Sequence, residues 1–177
     1  LSDDIGVSAK TLKEWLNILE AGFIVFRLPP YFENFGKRLV KTPKIYFTEP
    51  GLAAWLIGIK SADMVKRDPL VGNLFENMVI IEALKARLNS GNTPDMYFFR
   101  DQRGFEIDML IAAERKLYPY EIKSARTWSS DFASNLKSFA ERDTKIEKGT
   151  VIYAGDLKRS GNPAAVNFVN TADVIPE

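Results

Sequence analysis

Cysteine and histidine are both absent from the 177 residues. The first absence excludes a disulfide framework, a thiolate nucleophile and cysteine-ligated zinc or iron–sulfur centres. The second removes Ser-His-Asp and Cys-His catalysis together with every imidazole metal site. Any catalysis must rest on carboxylates, lysines, tyrosines and hard cations that prefer oxygen ligands. No apolar run approaches the roughly 18–20 residues of a membrane helix, and no signal-peptide pattern opens the chain. A cytoplasmic protein without membrane contact is therefore expected. A G-x-x-x-x-G-K-[ST] loop is also missing: Gly36-Lys37 is followed by Arg38 and lacks the upstream glycine, so no ATPase site is expected. An excess of one charge is lacking too. With 24 Lys and Arg against 23 acids, the net charge of +1 neither demands nor excludes a nucleic-acid partner.

What is present reads as a packed α/β protein, with 46% hydrophobic and 27% charged residues. The chain opens on Leu1 and enters a helical pattern at once, so it reads as a fragment of something longer. Ser8 is positioned as an N-cap, and Leu12, Trp15, Leu16 and Leu19 form an apolar helix stripe ended by Ala21-Gly22. Strands are expected at Phe23–Leu28 and Lys44–Thr48, then a short helix near Gly51–Ile59. This order is that of a winged helix without its first helix. Between the strands, Lys37, Arg38, Lys41 and Lys44 form a stretch with no acid, a candidate wing for a nucleic-acid phosphate backbone or else a solvated loop. The polar segment 60–69 marks a boundary, giving a partial winged-helix module over 1–62 and an α/β domain over 63–177. In the second part a helix is expected from Leu70 to about Leu88. Strands follow at Met96–Arg100, Phe105–Ala112 and Leu117–Lys123, then a helix near Ser130–Arg142 and strands at Thr150–Ala154 and Val166–Val169.

Two of these strands carry the candidate chemistry. Alternation puts Phe105, Ile107, Met109 and Ile111 on one face, and Glu106, Asp108 and Leu110 on the other. In Leu117–Lys123, Tyr118, Tyr120 and Ile122 share one face, with Glu121 and Lys123 opposite. If a hairpin loop is centred on Glu114-Arg115, Asp108 faces Glu121, although Glu-Arg is not a favoured turn pair. Opposed carboxylates, with Cβ atoms roughly 4.5–5.5 Å apart, repel each other. Such a pair needs a proton, a neighbouring cation or a bound metal. Mg²⁺ or Mn²⁺ suits oxygen ligands of this kind, and Lys123 adds a positive charge for phosphoryl chemistry. An E-x-K strand alone reads as a salt-bridging surface; Asp108 on the same face raises it above that. On the long helix Glu76 has an apolar-leaning neighbourhood and wants a partner, either the same site or an arginine such as Arg100. Glu82 points about 120° away from it. Arg100 and Arg103 bind phosphate or pair with Asp101, and Trp128, Phe132, Leu136 and Phe139 read as helix-to-sheet packing.

Asp108, Glu121-Ile122-Lys123 and the upstream Glu76 together resemble the PD-(D/E)XK nuclease-like superfamily, with Ile107 where the motif name has proline. More widely, Leu28-Pro29-Pro30-Tyr31, Pro43-Lys44-Ile45-Tyr46-Phe47, Phe75-Glu76-Asn77, Phe99-Arg100-Asp101, Glu106-Ile107-Asp108 and Glu121-Ile122-Lys123-Ser124 are similar to the C-terminal part of prokaryotic AAA-type ATPases, domain of unknown function 4143. The resemblance implies a restriction-endonuclease-like mixed sheet flanked by helices, preceded by the partial winged-helix segment, and an N-terminal ATPase domain in the same longer chain. It further implies a divalent metal, Mg²⁺ or Mn²⁺, at Asp108, Glu121 and Glu76, with Lys123 assisting phosphodiester hydrolysis. DNA is the expected partner, and RNA less so. A catalytically silent binding appendage is the alternative.

Overall fold

The computed structural model describes residues 5–32, 42–156, 164–168 and 175–176. Helix α1 (Ala9–Ala21) begins at Ser8, whose hydroxyl accepts from the Thr11 N–H at 3.0 Å and satisfies one of the free amides of the first turn. Strand β1 (Val25–Leu28) pairs antiparallel with β2 (Lys44–Phe47). The first strand is shorter than its apolar run predicts. Phe23 adopts a left-handed φ of +56° after the helix, outside the range of extended backbone, and its side chain is 83% exposed. Helices α2 (Pro50–Leu56) and α3 (Ala62–Val65) lead to the long helix α4 (Val71–Asn89).

Five strands form one sheet in sequence order: β3 (Met96–Arg100), β4 (Glu106–Ala113), β5 (Lys116–Lys123), β6 (Thr150–Tyr153) and β7 (Ala164–Asn167). The first three are antiparallel and the last two add in parallel. A parallel pairing requires a crossover. Here a 3₁₀ turn (Ser130–Ala133) and helix α5 (Ser134–Ala140) supply it, splitting the single helix expected near Ser130–Arg142. The architecture is a mixed α/β fold whose five-stranded sheet is flanked by helices.

Two apolar clusters hold it together. Val79, Ile80 and Ala83 of α4 pack with Met109, Ile111, Tyr120 and Ile152, and Leu28 and Tyr46 of the first hairpin join them. Leu136 and Phe139 of α5 pack with Phe99, Ile107, Leu110, Val151 and Tyr153, with Trp128 and Phe132 alongside. The β1–β2 hairpin is therefore built into the same apolar core as α4. Asn77 fastens it: its side-chain amide donates to the Phe47 carbonyl at 2.7 Å, and its oxygen accepts the Phe47 N–H at 2.9 Å. Pro30 and Tyr31 bridge to Phe98 on the outer edge of β3, covering an otherwise open strand.

The faces of β4 differ from strict alternation. Ile107 and Leu110 enter the α5 cluster, whereas Met109 and Ile111 enter the α4 cluster. The cause is a register shift. Leu110 pairs with Tyr97 but Ile107 pairs with Phe99, so Asp108 and Met109 together stand against Phe98. Such a bulge adds one residue to one strand and re-aims its side chains.

Candidate active site

The β4–β5 hairpin turns through Glu114 and Arg115, both left-handed with φ of +50° and +64°, as a two-residue turn of the hairpin-favouring hand requires. The register that follows pairs Met109 with Tyr120 and Ile111 with Tyr118. One step beyond the last pair lie Asp108 and Glu121. The ladder ends there, and the Ile122 N–H donates to Asp108 Oδ2 at 2.8 Å. Lys123 Nζ lies 2.6 Å from Glu121 Oε2 and 3.6 Å from Asp108 Oδ2. The three side chains picked out from the sequence therefore converge.

Their electrostatics are uneven. Glu121 is only 2% exposed, and its Oε1 is buried with no hydrogen-bond partner. Burial first, and then the charge of Asp108, push the Glu121 carboxyl up to about 8, although Lys123 pulls the other way. Burial lowers the Lys123 ammonium, but Asp108 and Glu121 outweigh it and raise it overall. A proton and a lysine thus relieve the repulsion expected between the paired acids.

A cavity of about 730 Å³ opens beside this cluster and is lined also by Lys44, Tyr46, Glu76, Arg100 and Glu106. Glu76 faces it from α4, and Glu82 pairs with Lys85 on the exposed side. Glu76 does not take Arg100. Its Oε1 receives Lys44 Nζ at 2.8 Å and the Tyr46 hydroxyl at 2.5 Å. Lys44 also reaches Glu106 Oε1 at 2.5 Å, and Arg100 closes on Glu106 Oε2 rather than on Asp101. Asp101 instead accepts the N–H groups of Arg103 and Phe105, with Arg142 3.9 Å away. Burial weakens the Lys44 ammonium, yet Glu76 and Glu106 more than restore it, and it is raised. The Tyr46 phenol is driven strongly upward by burial and by the carboxylates around it, so it remains a donor.

Lys44 therefore stands inside the cavity as an ion-pair partner, not on a wing exposed to phosphates. The other three wing cations, Lys37, Arg38 and Lys41, lie outside the described residues. The expected triad is not gathered either: among the described residues, no group of three or more acids is arranged to hold a metal ion. Glu76 is held instead by Lys44 and Tyr46. Asp108 and Glu121 remain as a pair, and two carboxylates suffice for Mg²⁺, which keeps much of its water. The unpartnered Glu121 Oε1 fits a cation there.

Sequence reasoning did not assign a role to Glu106 or Tyr46. The signal existed: alternation sets Glu106 on the face of Asp108, and Tyr46 on the face of Lys44.

Comparison with known proteins matches the two parts of the chain to two family models. Residues 1–63 match a second domain of unknown function, DUF8612. Uncharacterised proteins of Mycobacterium bovis and Mycobacterium tuberculosis are each 30% identical over 156 residues, 88% of this chain and 34% of theirs. The chain thus spans about a third of the length of these curated relatives. No solved structure matches it. Residues 71–170, which contain α4 and the β3–β7 sheet, match the domain of unknown function DUF4143, and the chain belongs to that family.

Proposed function

We propose that this chain carries a divalent-metal-dependent phosphodiester hydrolase site acting on DNA. The observation that carries the reading is the Asp108–Glu121–Lys123 cluster, with its buried and unpartnered Glu121 oxygen beside an open cavity. Support also comes from the order of elements: a helix bearing Glu76, three antiparallel strands, a crossover helix and a parallel strand, as the restriction-endonuclease-like reading requires. In the same reading, α1 and the β1–β2 hairpin are the partial winged-helix segment, and an AAA-type ATPase domain precedes them in the longer protein.

Asp108 and Glu121 would hold Mg²⁺ or Mn²⁺, which supplies Lewis-acid stabilisation of developing negative charge. The chain's own residues do the rest. The Ile122 N–H fixes Asp108, burial keeps Glu121 in place, and Lys123 presents an ammonium to a phosphoryl oxygen. No step needs an imidazole or a thiol.

The test is cleavage of duplex and single-stranded DNA by the purified chain with Mg²⁺ or Mn²⁺, beside calorimetric titration of the metal. Cleavage lost in Asp108→Ala supports the reading. Intact substrates together with no heat of metal binding reject it.

A second reading, a catalytically silent DNA- or partner-binding appendage directing the ATPase, draws on a different observation. Trp15, Ile18 and Phe23 leave apolar surface exposed around α1. It calls for binding that survives Asp108→Ala and depends on Lys37, Arg38 and Lys41.

A further inference from the structure

Lys44 Nζ sits between two carboxylates from different elements, 2.8 Å from Glu76 Oε1 on α4 and 2.5 Å from Glu106 Oε1 on β4. Two oxygens converge on one cationic point, as ligands converge on a metal. Each carboxylate is also gripped from elsewhere. The Tyr46 hydroxyl donates to Glu76, and Arg100 takes the far oxygen of Glu106. The acid pair is therefore aligned by groups other than the lysine it surrounds. Among the described residues lining the cavity, four carboxylates (Glu76, Glu106, Asp108, Glu121) meet three cations (Lys44, Arg100, Lys123). One divalent ion at Asp108 and Glu121 would turn that balance positive, which suits a polyanionic substrate. A second ion beside Glu76 would have to displace a part-buried ammonium already held by two carboxylates, with only 18% of its side chain exposed.

We propose that Lys44 stands in for a second divalent cation, holding the site to one metal ion. The inference rests on the hydrolase reading above and assigns the β1–β2 hairpin a part in it. Lys44 is a positioning residue: its ammonium draws Glu76 and Glu106 together and denies that pair to a metal.

The experiment is calorimetric titration of Mn²⁺ alone into the full 177-residue chain and its variants, each checked for folding by circular dichroism. The wild type should bind one ion, Lys44→Ala two, and Lys44→Arg, which restores the fixed charge, one. Lys44→Gln fills the space without a charge and should also bind two, so it carries the test if the alanine variant unfolds. Asp108→Ala combined with Lys44→Gln should keep only the new site. A wild type that binds nothing, beside a Lys44→Gln variant that binds one ion, would overturn the hydrolase reading and the count of one ion, and would uphold only that Lys44 keeps a cation from Glu76 and Glu106. Two ions in the wild type, or the same number in the wild type and Lys44→Gln, would overturn the inference.

Discussion

Asp108, Glu121 and Lys123 form one set of two acids and a lysine in the cavity, and Glu76, Glu106 and Lys44 form another. Their formal charges are the same and their states differ. In the first set the acids stand on neighbouring hydrogen-bonded strands, one buried oxygen has no partner, and Glu121 is pushed up to about 8. In the second, long side chains from α4 and β4 reach a common lysine, and Tyr46 and Arg100 complete their contacts. The difference shows where demand for a cation arises. A strand ladder fixes the spacing of two acids and gives them no way to separate, whereas side chains from separate elements settle around a counter-charge. A carboxylate pair set in a rigid frame, its repulsion relieved here by a proton and by Lys123, is what a catalytic site uses.

The largest expected effect breaks the first set. Asp108→Ala should remove cleavage and metal binding together, and Lys123→Ala should lower cleavage on the order of a hundredfold or more while metal still binds. Parallel nuclease assays and calorimetry separate the two outcomes; a Lys123→Ala variant that loses metal binding would contradict the assigned roles.

Next in size is the second set. Lys44→Ala strands two part-buried carboxylates and should cost about 2 kcal/mol or more in urea unfolding. Lys123→Ala should cost less, because Lys123 is more exposed. Equal losses would erase the distinction between the two sets.

A pH series sharpens it further. Glu121 holds its proton to about 8 in the folded chain, against an ordinary value of 4.5. A raised acid favours folding fully below its unfolded value, and that contribution is lost as pH climbs through the folded value. Metal-free stability should therefore fall between about pH 5 and about pH 9, and Glu121→Gln should flatten the fall. Urea midpoints across that range test it, and identical slopes for both proteins would show that Glu121 titrates normally.

The smallest effect lies at the far end of the same hairpin. Replacing Glu114-Arg115 by Asn-Gly, which accepts left-handed backbone readily, should stabilise by roughly 0.5–1 kcal/mol and raise the melting temperature. A loss of stability would mean that Glu114 or Arg115 makes contacts worth more than the relieved strain.

Much of the sheet domain was legible because its signals are local. The periodicity of Leu117–Lys123 separates Tyr120 and Ile122 from Glu121 and Lys123 within seven residues, and the four-residue link admits few registers. The first half was less legible. The apolar run at Phe23–Leu28 reads as strand throughout, but Phe23 bends away, since the chain must leave α1 before β1 can pair. In β4, alternation placed Asp108 with Leu110, and the bulge opposite Phe98 separated Ile107 from Met109 instead. A bulge has no composition of its own here; it follows from how two strands meet.

The sequence by itself determined the available chemistry, carboxylates and lysines without imidazole or thiol, and the alternation that puts Glu121 and Lys123 on one face of their strand. Those properties depend on residue identity and on spacing over a few positions. Only the tertiary structure decided that Glu121 is buried, that Glu106 and Tyr46 belong to the cavity, and that Lys44 reaches Glu76 from 32 residues away. Burial and long-range ion pairing arise from how α4, the β1–β2 hairpin and the sheet pack together, and no single stretch of the chain contains that information.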